Sequence, residues 1–338
     1  MSVTRTRPTT AAIAAWVLAA AGLVLVLLVH LLPALFAGLL VYELVHLAAP
    51  VLSRRLSHHR AKVAVVALIA TLVVGAVSAA TFALAVFLQS DPDRPAVLLA
   101  QFADMVLRAK ETMPVWVGDL LPASPEEVNA TLAAWVHVHA GELELAGRET
   151  GRAFVYALLG MIVGAMLALQ GELPAAPMGA LGRELAKRAA NLANAFRRVV
   201  FAQVRISLVN TALTAIYLAI LLPLFGVQIP FKKTLIVLTF VVGLLPVLGN
   251  LISNTFIVIA SLSLAGEVAI ASLVFLVVIH KLEYFLNARI VGRQIQARAW
   301  ELLIAILAME AAFGLPGVVA APIYYAFLKD ELTAQGLV

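Results

Sequence analysis

Apolar positions along this chain come in unbroken runs, not at the three-to-four-residue spacing of a soluble amphipathic helix. The first covers residues 11–29, and after a turn marked by His30 and Pro33 a second covers 31–52. Others cover 63–88, 154–169, 207–222 and 268–286. A hydrocarbon layer about 30 Å thick takes about 20 helical residues to cross, because each backbone amide in lipid must find its partner within its own segment. The runs therefore predict membrane helices, the first two as a tight hairpin. A cleaved signal peptide also begins with basic residues, here Arg5 and Arg7, but its apolar core ends after about 7–15 residues. This run continues beyond that.

Two longer apolar stretches are interrupted. Residues 231–263 break at Gly243, Pro246, Gly249 and Asn250, and residues 301–328 break at Gly314, Pro316 and Gly317. Each reads either as a kinked span or as a re-entrant hairpin. If 231–263 crossed once, Arg289, Arg293 and Arg298 would face outward; a hairpin brings them inside but leaves Lys232 and Lys233 at the outer face. On the hairpin reading one enters from outside and the other from inside, so that two opposed broken helices offer unwound carbonyls to a polar solute or ion, as in secondary transporters.

Composition agrees with a membrane setting. The 338 residues are 63% hydrophobic and 13% charged, against roughly 25% charged in soluble domains. With no cysteine, thiolate metal sites, cysteine nucleophiles and disulfides drop out. The net charge of +5 is spread through apolar runs and does not suggest nucleic acid. Residues 89–150 hold ten acids and four bases, so the rest of the chain carries the positive excess. A long outward acidic segment with basic loops inside produces this asymmetry. The expected topology is multi-pass, with both termini cytoplasmic and residues 91–150 extracytoplasmic.

That acidic segment is not read as disordered. Ser124 before Pro125 and Glu127 marks a capped helix start, and Val128, Leu132, Trp135, Val136, His139 and Leu143 follow as one apolar face. Residues 183–205 read as a separate basic amphipathic helix along the cytoplasmic surface: either a solvated connector or a binder of anionic lipid, worth about 1 kcal/mol per basic residue.

Candidate binding residues cluster at the breaks: Pro246, Gly249, Asn250, Ser253 and Asn254 at the first, and Glu310, Gly314, Pro316 and Gly317 at the second. An acid at mid-bilayer costs about 2.5–3.5 kcal/mol on insertion scales and is seldom there without use or partner, which singles out Glu310. Glu43 and His46 share a helix face but lack the repeated carboxylates of a di-metal site, and His137 and His139 point apart. No zinc-protease, nucleophile-elbow or phosphate-loop motif occurs. Neither an enzyme, a cofactor nor a bound metal is expected.

The C-terminal residues resemble the AI-2E (autoinducer-2 exporter) or PerM-like family of bacterial membrane proteins. The marks are Leu245-Pro246-Val247-Leu248-Gly249, Leu282-Glu283 with Asn287, Ile290-Val291-Gly292, Gly314-Leu315-Pro316-Gly317, Ala321-Pro322 and Leu328-Lys329. Val247, Asn250, Arg289 and Ala299 or Trp300 depart from the family's pattern. The resemblance implies an all-α polytopic protein of about eight membrane segments, including two opposed interrupted hairpins, and a homo-oligomer, pentameric by analogy. It also implies secondary export of a small polar solute, with H+ or Na+ as candidate coupling ions; some relatives look like Na+(Li+)/H+ antiporters. Glu283, Asn287, Arg289, Gly292, Arg293 and Pro322 become candidate structural or gating positions.

The expected organisation is a three-helix region (1–90), the acidic segment (91–150), a fourth span with the basic helix (151–206), a transport region (207–330) and a tail (331–338). A membrane scaffold that captures an envelope partner through its acidic outer helices is the alternative from another class.

Overall fold

The computed structural model describes residues 9–53, 57–90, 103–104, 107–108, 110, 124–170, 178–245, 248–290 and 298–337. Among them the chain is helical with no strand. Five helices are long and apolar enough to cross a membrane: Thr10–Leu28, Leu32–Leu52, His59–Ala79, Ala140–Gln170 and Ala180–Leu224.

Helix α1 (Thr10–Leu28) starts at Thr9, whose hydroxyl accepts the Ala12 N–H at 3.2 Å. A turn through His30, with φ of 59°, leads into α2 (Leu32–Leu52), with Pro33 in its first turn where a missing N–H costs nothing. The predicted turn is present, but α1 and α2 touch little beyond it, so the tightness expected of the hairpin is not shown. α3 is His58–Ser90. α4 (Pro125–Val138) begins as the sequence suggests, with the Ser124 hydroxyl accepting the Glu127 N–H at 3.2 Å. It stops at His139, and α5 (Ala140–Gln170) follows at once.

Two expectations about helix extent need correction. The expected apolar face through Leu143 is split between α4 and α5, so Glu142, Glu144 and Glu149 stand on the same rod as the fourth span. The basic helix and the fifth span are likewise one continuous rod: α6 (Ala180–Ile216) runs through a π turn (Tyr217–Leu221) into a last turn at Leu222–Leu224. Nothing between Arg205 and Ser207 breaks a helix, and a change of composition alone does not. The π turn, where the Leu222 N–H reaches back to the Tyr217 carbonyl, precedes Pro223, which cannot continue the normal ladder.

Both interrupted stretches are helix–break–helix pairs, α7 (Lys232–Gly243) with α8 (Leu248–Leu262) and α10 (Ala299–Phe313) with α11 (Leu315–Ala334). Between them lies α9 (Gly266–Ile290). In the second pair Glu301, near the start of α10, meets Lys329 of α11 at 2.7 Å. A single kinked span could not bring these residues together, so α10 and α11 run antiparallel.

The chain divides into two compact units: Met1–Val77 with Gly147–Val199 and Ile295–Val338, and Ser78–Ala146 with Val200–Gln294. In the first, Leu27, Leu32 and Ala320 form a buried cluster lined by Phe36, Met309, Phe313 and Tyr324. There α2 and α5 cross at a small-residue contact: a Cβ added at Gly160 would strike the Ala34 backbone, and one at Gly164 the Gly38 backbone. This is the spacing that lets membrane helices approach closely. In the second unit, Tyr217, Leu218, Leu222, Ile229, Leu235, Ile257, Ala260 and Leu276 make the core. Leu235 opens α7 while Ile257 and Ala260 close α8, as a hairpin requires.

Candidate functional site

The break between α7 and α8 lies in the second unit. A helix ends with four carbonyls that have no intrahelical donor, and in lipid these need partners. For α7 they are those of Phe240 to Gly243. Leu244 N–H bonds Val241 O at 3.3 Å and Leu245 N–H bonds Val242 O at 2.9 Å. The other two are met from α6: Ser207 Oγ donates to Phe240 O at 2.8 Å and Gln203 Nε2 to Gly243 O at 2.7 Å. One turn on, Asn210 Nδ2 donates to Asn250 Oδ1 at 2.9 Å.

Gly249 allows the return of the chain, since an added Cβ would strike the Val242 carbonyl. Of the candidates here, Gly249 and Ser253 are buried, Asn250 and Asn254 half-buried. Pro246 lies outside the described residues, as do Gly292 and Arg293. Glu283, Asn287 and Arg289 fall on α9, whose side chains there are likewise not described.

Deeper along α6, Tyr217 stacks on Phe275 with centroids 3.8 Å apart. Its hydroxyl bonds Ser272 Oγ at 2.8 Å, and Ser272 Oγ bonds Ser261 Oγ at 2.6 Å. The buried Thr214 lies between these hydroxyls and Asn210 in the order of α6. Ser207, Asn210, Thr214 and Tyr217 were missed because 207–222 reads as a plain apolar span, and Gln203 because 183–205 reads as a basic surface helix. Their spacing of four, three, four and three was the available signal: it places them on one helix face.

The second break lies in the first unit. Gly314 ends α10 and begins α11 with φ 63° and ψ −146°, a region almost closed to residues bearing a Cβ. Its N–H bonds Glu310 O at 2.7 Å. Pro316 occupies the first turn of α11, and Gly317 is buried so tightly that an added Cβ would strike Met309 O. Pro322 is buried inside α11. The Glu310 side chain is exposed on α10, in line with exposed Leu303 and Leu307.

The open end of this hairpin is charged. Glu301 Oε2 accepts from Lys329 Nζ at 2.7 Å, Tyr325 OH at 2.5 Å and the Arg298 N–H at 3.2 Å. These bonds, that of Lys329 first and Tyr325 next, pull the Glu301 pKa down to about 2.

Nearby in the same unit, Glu331 is buried and accepts from Trp16 Nε1 at 3.0 Å and Asn191 Nδ2 at 2.5 Å, with Arg188 Nε at 3.1 Å. Arg188 also pairs with Glu184 at 3.0 Å, and Arg198 pairs with Asp330. Glu43 is buried beside Arg197, 3.8 Å away, while His46 is exposed and donates from Nδ1 to Tyr42 O at 2.8 Å. The His46 ring is thus bonded to the backbone of its own helix, and no hydrogen bond between it and Glu43 is seen.

On α4 Val128 is buried, but Trp135, Val136 and Val138 are exposed. Trp135 stacks on His139 at 4.6 Å.

The family model for AI-2E family transporters matches residues 12–335. No curated protein and no solved structure matches the chain.

Proposed function

This chain belongs to the AI-2E transporter family, and from that premise we propose that it is a secondary transporter exporting a small polar solute, an autoinducer-2-like signal or metabolite, across the bacterial inner membrane. It alternates access by moving its two interrupted hairpins, which enter the bilayer as re-entrant elements and bring the membrane segments to about eight. Both termini face the cytoplasm, residues 91–150 face outward, and identical subunits cover the exposed apolar helix faces.

The observation that supports this best is the end of α7. Its carbonyls are met by Gln203 and Ser207 from a neighbouring membrane helix, and non-helical backbone at membrane depth is tolerated where it is buried in protein or lines a water-filled cavity. Broken helices with such ends are where secondary transporters bind solutes. Reconstitution into liposomes tests the proposal: directional, gradient-driven movement of a small polar solute is expected. Correctly inserted protein that moves neither solutes nor ions under any imposed gradient would refute it.

A second reading, Na+(Li+)/H+ exchange, is favoured by one residue. Glu310 is an acid on an otherwise apolar exposed face, a costly position that a carboxylate engaging the transported cation would explain. Under this reading Glu310→Gln abolishes pH-dependent exchange, and unchanged exchange removes the residue from the mechanism.

A further inference from the structure

We propose that the turn between α6 and α7, in the second unit, is a docking site for anionic phospholipid: Leu224 and Phe225 enter the acyl layer, while Lys232 and Lys233 hold the phosphate-bearing headgroups. This goes beyond the transport reading and stands whether or not the chain moves a solute.

The turn is fixed in place, yet it leaves its largest side chains out. The Phe225 and Val227 N–H groups both bond Leu222 O at 3.0 Å, and Gly226 N–H bonds Pro223 O at 3.0 Å. Ile229 is buried in the core of the unit, and Val227 packs against that core. A segment anchored in this way is able to turn apolar groups inward. Instead Leu224 is 75% and Phe225 82% exposed. Phe231 is also exposed and takes φ 55° and ψ 23° just before α7. A left-handed conformation is unusual for a bulky residue, and such outliers cluster at ligand clamps and other functional positions.

The charge that follows has no local explanation. Lys232 and Lys233 open α7, whose first turn holds no acid, and the backbone dipoles disfavour cations at that end of a helix. Lys232 Nζ reaches the neutral Gln228 Oε1 at 3.4 Å, and among the described residues neither lysine pairs with a carboxylate. Their charge is therefore available to something outside the turn.

Position selects the partner. The exposed side of α7 runs from Lys233 through Val237 and Val241 to Leu244, a spacing that keeps to one helix face. The last turns of α6 are likewise apolar where exposed, at Ile216, Ile220 and Leu224. Both apolar stripes end at this turn, so the headgroup layer begins there. A lysine at the end of a lipid-facing stripe extends its ammonium to the headgroups, and cations at that level favour anionic lipid. An acidic protein surface is the competing partner. It would meet the lysines but leave Leu224 and Phe225 without a role.

The chain has no cysteine, so Phe225→Cys and Thr234→Cys, each at an exposed position, can carry one polarity-sensitive fluorophore without background. The labelled full chain is reconstituted in liposomes containing nitroxide-chain lipid, either phosphatidylglycerol or phosphatidylcholine, and the ratio of quenching gives the relative affinity at the turn. At least about a threefold preference for phosphatidylglycerol is expected at low salt, falling toward about one at high salt as exposed charges are screened. Lys232→Gln/Lys233→Gln should abolish the preference, and Lys232→Arg/Lys233→Arg, which keeps both charges, should retain it.

Equal quenching by the two lipids, or a preference that survives high salt or the glutamine pair, would overturn the headgroup role of the lysines. Water-like emission quenched by neither lipid would overturn the docking site itself, and carbodiimide cross-linking of Lys233 to residues 124–149 would then identify the acidic protein partner instead. The salt series uses the chain with both lysines intact, so a glutamine variant that fails to fold leaves the proposal open to refutation.

Discussion

Removing the Glu331 carboxylate should be among the most damaging single changes to the first unit. In Glu331→Leu, Trp16 Nε1 and Asn191 Nδ2 lose their acceptor, and Arg188, with 3% of its side chain exposed, keeps the Glu184 carboxylate and the face of the Trp16 ring. Breaking a buried ion pair by deleting one partner costs about 3–5 kcal/mol, because the other charge stays buried and uncompensated. Glu184 still offsets part of the Arg188 charge, so the lower end, about 3 kcal/mol, is the better expectation. It corresponds to about a hundredfold loss in the folded-to-unfolded ratio at 1.36 kcal/mol per decade.

The assay is equilibrium unfolding in mixed micelles of mild detergent and dodecyl sulfate, followed by helical circular dichroism. The double variant Arg188→Met/Glu331→Leu carries the logic further. With both charges gone and Glu184 able to reach water, it should lose less than the sum of the two single variants by at least about 1 kcal/mol, a coupling typical of directly interacting side chains. A single variant costing under about 1 kcal/mol, or additive losses in the double, refutes the view that this buried pair ties α1, α6 and α11 together.

Gly160→Leu should prevent the close crossing of α2 and α5 and cost at least about 1–3 kcal/mol as an overpacked contact, read by the same unfolding assay; wild-type stability would deny the crossing. Gly314→Ala places a Cβ at φ 63°, ψ −146° and should destabilise the α10–α11 hairpin by about 1–3 kcal/mol, visible as faster proteolysis at the turn. The Glu301 pKa is lowered to about 2, so its contribution to stability is present above the ordinary carboxylate pKa of about 4.3. It fades as pH falls from there toward 2. Comparing wild type with Glu301→Gln across pH 7 to 2 should show a gap that closes in that window, and a gap independent of pH would be the contrary result.

Much of the architecture is legible in the sequence, because the bilayer sets span length and because glycine and proline act locally. The hairpin turn at His30 and Pro33, the Ser124 cap and both interruptions are features of this kind. The continuity of α6 was hidden by its change from basic to apolar residues, which alters the surroundings of a helix without ending it. The split at His139 was hidden because the apolar spacing continues past it to Leu143, although Gly141 stands two residues on.

At the two breaks, each in its own unit, sequence pointed to Gly249 and Asn250, and to Gly314 and Gly317, through their conformational chemistry, and it pointed to Glu310 through its cost in lipid. It did not select Gln203, Ser207, Asn210 or Tyr217, whose meaning lies in partners such as Gly243, Phe240, Asn250 and Ser272, 33 to 55 residues away.

The amino-acid sequence by itself determined that this protein is helical, lives in a membrane and breaks its helices at two places, since solvent and backbone torsion act residue by residue. Tertiary structure alone decided which polar groups meet: Trp16 with Glu331 across 315 positions, Asn210 with Asn250 across 40. A hydrogen bond depends on distance in space, and separation along the chain carries no record of it.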